Sequence, residues 1–265
     1  MATDPEFAPS VTVVIAGFAR NSTFTVPHLV TNLSHAVKEA GYRLRQVLVV
    51  LTADFENSLI RETASLALKS SELSADVLNV NLIDVNDLAM SDSILYDLAA
   101  RNGNPYPKSP HSLKNTVHFL NVLGLSINFL KKGSDYILFC RSDLLLLDPA
   151  RLAAELGRPH AATFVLPKWH RWGGYNDRIA FFKYGGSNLY LNRVKKATAY
   201  LSAGSNLHGE RFLAHCLSEE EVSNSLSSRL LRTRDNLMIV SEDFSAPTVI
   251  RHTQTKIRKF TERLR

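Results

Sequence analysis

Val11-Thr-Val-Val-Ile-Ala-Gly17 is a run of β-branched and small apolar residues closed by a glycine. Apolar on both faces, it reads as a strand buried inside a parallel sheet. Working outward, Val26 to Ala40 has helical spacing and stops at Gly41, a C-cap signal. Gln46–Leu51 is a second buried strand, Asn57–Leu73 a helix and Asp76–Ile83 a third strand. Asp84–Ala100 reads as helix. Residues 102–110 are dense in glycine and proline and form a surface loop. A long helix over Ser112–Lys132 follows, then strands at Asp135–Cys140 and Ala161–Leu166. Strands alternating with helices of these lengths predict an α/β chain with a mainly parallel, doubly wound sheet flanked by helices.

Beyond Trp169 the pattern loosens. A strand is expected at Arg178–Lys183, helices at Ser187–Leu201 and Gly209–Leu217, and short strands near Leu230 and Met238. No repeat or flexible linker interrupts the chain, so residues 8–265 are expected to form a single catalytic domain. Met1 to Phe7 (MATDPEF) reads as a cloning remnant.

The chain has 265 residues, 45% apolar and 21% charged, the balance of an ordinary globular protein. Two cysteines, Cys140 and Cys216, exclude a disulfide framework and a cysteine-based zinc site. Net charge is +6, which favours anionic partners: nucleotide diphosphates, nucleic acid or anionic membrane. No window reaches the apolar length that spans a bilayer. The expected setting is the cytoplasm, or a soluble catalytic domain cut from a membrane-anchored protein.

In open α/β sheets ligands bind beyond the carboxyl ends of the strands. After the first strand stands Gly17-Phe-Ala-Arg20, where glycine admits a close backbone approach and an arginine fork grips phosphate. After the second comes Asp54, placed to meet a ribose or base. Neither GxGxxG nor GxxxxGK[ST] is present, which weighs against dinucleotide and P-loop chemistry. After the fourth come Arg141-Ser-Asp143 and then Asp148-Pro149. A carboxylate leaving a buried strand needs a partner. For Asp143 the alternatives are a hard cation, Mn²⁺ or Mg²⁺, bridging to diphosphate, or an ion pair with Arg141. Asp148, before proline, reads as a helix cap. Trp169-His-Arg-Trp-Gly-Gly-Tyr-Asn-Asp-Arg178 holds both tryptophans. Aromatics beside Asn, Asp and Arg suit a sugar, with rings on its apolar face and polar groups on its hydroxyls.

Lys132-Gly-Ser-Asp-Tyr-Ile-Leu-Phe-Cys-Arg-Ser-Asp143 resembles the segment of GT-A-fold glycosyltransferases that ends in D-x-D, here as R-x-D. The first-strand G-x-x-R, the long helix before the motif and Gly173–Arg178 fit the same resemblance, which spans about residues 10–256. It implies transfer of a sugar from a nucleotide-diphosphate donor to a glycan or other hydroxyl acceptor, assisted by Mn²⁺ or Mg²⁺. It further implies Asp143 and His252 on the metal, and Gly17, Arg20, Asp54, Arg141, Asp143 and Lys256 on the donor. Trp172, Gly174, Asn176 and Arg178 would shape the sugar and acceptor pocket. Glu210, opening a helix in His208-Gly-Glu-Arg-Phe-Leu213, or Asp177 would be the general base; first-turn helix-dipole stabilisation is the structural alternative for Glu210. Arg141 in place of the first aspartate weakens the metal site or holds phosphate itself. Two other readings stand beside this one. A nucleotidyltransferase acting on a sugar phosphate would share the sheet, but Gly17-Phe-Ala-Arg20 is a poor phosphate loop. A non-catalytic anion or nucleic-acid binding domain fits the basic tail at Lys256–Arg265, but no RNA-binding aromatic motif or basic helix supports it, and no nucleic-acid partner is expected.

Overall fold

The computed structural model describes residues 8–19, 21–53, 57–71, 73–74, 76–107, 109–233 and 239–241. In chain order its elements are β1 (Ser10–Phe18), α1 (Ser22–Glu39), β2 (Arg43–Ala53), α2 (Asn57–Ser71), β3 (Leu78–Asp84), α3 (Val85–Arg101) and α4 (Pro110–Ser126). There follow β4 (Tyr136–Arg141), β5 (Leu144–Leu146), α5 (Pro149–Leu156), β6 (Phe164–Pro167), β7 (Ile179–Lys183), α6 (Ser187–Tyr190) and α7 (Ala197–Ser202). The last are α8 (Gly209–Cys216), β8 (Val222–Leu226), β9 (Leu230–Thr233) and β10 (Ile239–Ser241).

Seven strands form one sheet in the order β3-β2-β1-β4-β7-β6-β8. Six run the same way and β7 alone is opposed, so the sheet is mainly parallel, as expected. Alternation along β1 explains why it needs helices on both faces. Val11, Val13 and Ile15 join Val47, Val49 and Leu51 of β2 under α1 and α5. Val14 and Ala16 face the other way with Leu48, Val50 and Phe139, and α4 covers them through Phe119, Val122 and Leu123. A third cluster ties α3, α4, α7 and α8 together around Leu95, Val117, Leu201 and Phe212.

A small antiparallel sheet, β10-β9-β5, branches off immediately after β4. Leu144-Leu-Leu146 forms its first strand, which the sequence reading left unassigned. Asp148 caps α5, accepting from the Arg151 backbone N–H at 3.0 Å, with Pro149 at the first helical position.

Three boundaries differ from expectation. The helix expected from Val26 begins a turn earlier, at Ser22, and carries Pro27 within it. The helix expected to reach Lys132 ends at Ser126 and tightens into a 3-10 turn over Ile127–Phe129. Gln46 explains that end: its amide donates to Phe129 O at 3.0 Å and accepts from Lys131 N at 3.0 Å. Ser187–Leu201 breaks into α6, a 3-10 turn over Arg193–Lys196, and α7. Arg193 is 1% exposed, and its Nη1 donates to Tyr190 O at 2.7 Å. The break lets that arginine turn inward.

The carboxyl ends of β1 and β4 meet at Gly17. Ser142 N donates to Ala16 O at 3.0 Å, and Ser142 Oγ donates to Phe18 O at 2.9 Å. Gly17 has φ +147°, and a Cβ there would stand 2.6 Å from Ser142 Oγ. Both the backbone angle and the space require glycine. Gly17→Ala is expected to destabilise the protein by about 1–3 kcal/mol, the scale of forcing an extra methyl into a packed site. Urea denaturation measures this, and an unchanged midpoint would contradict the packing described.

Candidate functional site

A cavity of about 660 Å³ opens at the carboxyl edge of the sheet. Its volume is that of a small-molecule site. The ends of β1 and β4 supply Phe18, Arg141 and Asp143; the segment before β7 supplies Asp177 and Arg178. The start of α8 gives Gly209 and Glu210, β9 gives Arg232 and Thr233, and the amino-terminal half of α4 gives His111, Lys114 and Asn115. Among the described lining residues are four cations, Lys114, Arg141, Arg178 and Arg232, and three carboxylates, Asp143, Asp177 and Glu210.

Asp143 stands in the turn between β4 and β5. Arg141 grips it with a two-pronged fork, Nε to Oδ1 at 3.0 Å and Nη2 to Oδ2 at 2.9 Å. Arg232 Nε donates to Oδ2 from the other side at 2.9 Å. The backbone fixes the same meeting, since Thr233 N donates to Asp143 O at 2.8 Å. Burial raises the pKa of this carboxyl; the charges of Arg141 and Arg232 and the hydrogen bonds they donate outweigh it and hold the group well below the usual carboxylate range. The Arg141 guanidinium also lies over the Phe119 ring, 4.9 Å from its centroid.

A second charged group sits behind the first. Asp177 lies 3.5 Å from Arg193 Nη2 and 4.0 Å from Nη1 of both Arg141 and Arg178. Glu210 Oε1 accepts from Arg178 Nη1 at 3.3 Å, and Oε2 lies 3.2 Å from His208 Nδ1. Burial lowers the pKa of His208, against the opposing pull of Glu210. The imidazole stacks on Tyr106 with ring centroids 5.2 Å apart, and Tyr106 Oη accepts from Gly209 N at 2.9 Å. The first turn of α8 is thus pinned from both ends of its opening residues.

The glycine loop sets that turn's position. A Cβ on Gly174 would stand 2.0 Å from Glu210 O, and Tyr175 N donates to the same oxygen at 2.9 Å. Asn176 is fully buried; its amide donates to Trp169 O and its carbonyl accepts from Arg178 N, both at 2.9 Å. It orders the loop from within. Of this loop only Asp177 and Arg178 line the cavity; Gly174 lines a separate hollow with Arg171, Gly173 and Tyr175, and Trp172 is 61% exposed.

The structure therefore brings Arg141, Asp143, Asp177, Arg178 and Glu210 into one cavity, with Gly17 beneath Ser142. Arg20, Asp54, His252 and Lys256 lie outside the described residues. Arg232, Arg193, Tyr106 and His208 escaped the sequence reading. So did the support behind Phe18: its ring stacks on His118 at 5.0 Å, and His118 is held by Asp92 at 2.5 Å and Thr52 at 2.9 Å.

The expected Mn²⁺ or Mg²⁺ can be tested against the donor set. A hard cation needs several oxygen ligands. Both oxygens of Asp143 already accept from guanidinium groups, and Asp177 and Glu210 face arginines of their own. No group of three or more His, Cys, Asp or Glu side chains is arranged to hold a metal among the described residues. Those residues do not fit a divalent ion.

No protein-family model matches this chain, and no curated protein matches it. Among solved structures it is similar to mouse xyloside xylosyltransferase 1 in its apo form, at 13% identity and TM-score 0.40, covering 80% of this chain and 82% of that one. It is similar to the manganese complex of Rv0371c from Mycobacterium tuberculosis H37Rv, at 12% identity and TM-score 0.37, covering 82% and 86%. It is also similar to a putative glucose-1-phosphate thymidylyltransferase of Bacillus anthracis in complex with a sucrose, at 10% identity and TM-score 0.40, covering 84% and 89%. Structural neighbours thus include glycosyltransferases and a nucleotidyltransferase. At this level of likeness the reaction has to follow from the site. No helix among the described residues is long and apolar enough to cross a membrane.

The ion pairs give Asp143 a signature in acid. A carboxyl whose folded-state pKa is depressed contributes stability that is complete above its unfolded value, near 4, and is lost as pH falls toward the folded value. The stability gap between wild type and Asp143→Asn is expected to be widest at neutral pH and to narrow below about pH 4. Thermal melts across pH 7 to 2 measure it; a gap that stays constant would contradict the pairing.

Proposed function

We propose that the protein transfers a sugar from a nucleotide-diphosphate donor to a hydroxyl acceptor. The observation that carries this reading is one cavity that holds both a guanidinium pair and a carboxylate at a helix start. Arg141 and Arg232 stand around Asp143, and Glu210 opens a helix that lines the same cavity. Arginine forks match phosphate oxygens in shape and charge. The GT-A-like resemblance of Lys132–Asp143 supports the same reading.

In the reaction the acceptor oxygen attacks the anomeric carbon while the bond from that carbon to the diphosphate oxygen breaks. The electron pair leaves with the nucleoside diphosphate, whose growing negative charge meets Arg141 and Arg232. Preorganised positive groups of this kind stabilise the departing charge without reorganising. The acceptor's proton passes to Glu210. A carboxylate has about four lone-pair sites, so bonding to Arg178 leaves Glu210 able to take a proton. Asp177 stands among Arg141, Arg178 and Arg193, at 3.5–4.0 Å from each. Its part is to hold those arginines in place.

The test begins with a thermal-shift panel of sugar nucleotides, in which the true donor raises the melting temperature. With that donor, Glu210→Gln is expected to keep near-normal donor affinity and to lose about 10²-fold or more in kcat, the scale of general-base removal. The product is expected to be nucleoside diphosphate. Normal turnover by Glu210→Gln with a dead, donor-binding Asp177→Asn would move the base to Asp177. Release of pyrophosphate would replace this reading with nucleotidyl transfer.

A further inference from the structure

We propose that Asp143 is a positioning residue for a guanidinium pair, and that Arg141 and Arg232 take the charge of the leaving diphosphate without a divalent ion. The inference rests on the glycosyl-transfer reading and specifies how its donor is held.

Three observations carry it. First, arginines take three of the carboxylate's roughly four acceptor sites: Arg141 occupies Oδ1 and Oδ2, and Arg232 joins it on Oδ2, all at 2.9–3.0 Å. A Mg²⁺-like ion would have to approach to about 2.1 Å either Oδ2, which Arg141 and Arg232 share, or Oδ1, which already accepts from Arg141. Secondly, the two arginines come from different sheets and are fixed by backbone. Arg141 ends β4, with its N–H donating to Arg178 O at 3.0 Å; Arg232 belongs to β9, whose Thr233 N–H donates to Asp143 O at 2.8 Å. One carboxylate between two forks aims both guanidinium planes at the same cavity, the preorganisation that a metal would otherwise supply. Thirdly, Asp177 and Glu210, the other carboxylates among the described lining residues, are engaged by arginines, and among the described residues no group of three or more His, Cys, Asp or Glu side chains is arranged to hold a metal. The cavity is built for an anion rather than for a cation that would then bind one.

No covalent step belongs to Asp143; it acts through its arginines. The measurement is calorimetric titration of UDP, GDP, CDP and ADP into the intact protein, first in EDTA and then in excess Mn²⁺. One of these is expected to bind in EDTA with an affinity that Mn²⁺ leaves unchanged. Arg141→Gln and Arg232→Gln are each expected to weaken that binding by about 10-fold or more, the scale of a charged hydrogen bond. Arg232→Lys keeps the charge and the fold but lacks the fork, and is expected to recover only part of the loss. Asp143→Asn is expected to weaken diphosphate binding in EDTA, to remain insensitive to Mn²⁺ and to leave binding of the bare nucleoside near normal, whereas a merely structural role would weaken both ligands alike. Binding by wild type that appears only with Mn²⁺ and is abolished by Asp143→Asn would overturn the inference and make Asp143 a metal ligand. No diphosphate bound under either condition would instead overturn the glycosyl-transfer reading, and the inference with it.

Discussion

Asp143 leaves a buried strand carrying a charge that the interior tolerates only against opposite charge, and Arg141 and Arg232 supply it. Removing one partner from a buried pair of this kind costs about 3–5 kcal/mol, because the remaining charge is stranded. The pairing also joins two architectures. Arg141 terminates the main sheet, Arg232 sits in the small antiparallel sheet, and the aspartate between them is the turn where the chain passes from one to the other. Much of the site's geometry follows from that junction, since it places positive charge at the carboxyl edge where β1 and β4 end.

Behind the junction, charge continues inward in alternation. Arg141 reaches toward Asp177, Asp177 toward Arg193 and Arg178, and Arg178 toward Glu210. The connection is longer than a hydrogen bond at several links, so it orients by field as much as by contact. It sets the two ends of the cavity in fixed relation. In the proposed transfer the leaving group's charge is met near Asp143 and the proton of the incoming hydroxyl at Glu210, whose helix is held by Gly174 and Tyr106. The backbone contact at Gly174 explains a double glycine beside tryptophan better than ligand contact does.

The parts legible in sequence were those written in local patterns. Buried runs such as Val11–Ala16 announce a parallel sheet, whose carboxyl edge singles out Arg141 and Asp143, while Glu210 is singled out by the GT-A resemblance. The sequence favours a cation over an arginine pair for Asp143, because Arg232, which completes the pair, lies 89 residues away in a strand, Leu230–Thr233, too short to show a period. Arg193 was hidden for a different reason. An arginine in the polar stretch Asn192-Arg-Val-Lys-Lys196 reads as one more surface charge on a helix; only the break in that helix turns it inward and buries it. Trp172 and Asn176 drew attention by composition, yet one is exposed and the other is internal scaffolding. Residue type alone does not tell a sugar platform from a loop's own framework.

In the proposed transfer this arginine-framed cavity receives the diphosphate of a nucleotide. A crystal structure of the protein with the tightest-binding nucleoside diphosphate is the sharpest test. Phosphate oxygens are expected within about 2.7–2.9 Å of guanidinium nitrogens of Arg141 and Arg232, the usual length of a charge-assisted hydrogen bond. A nucleotide bound outside the cavity, or bound within it with the phosphates turned away from both arginines, would contradict it.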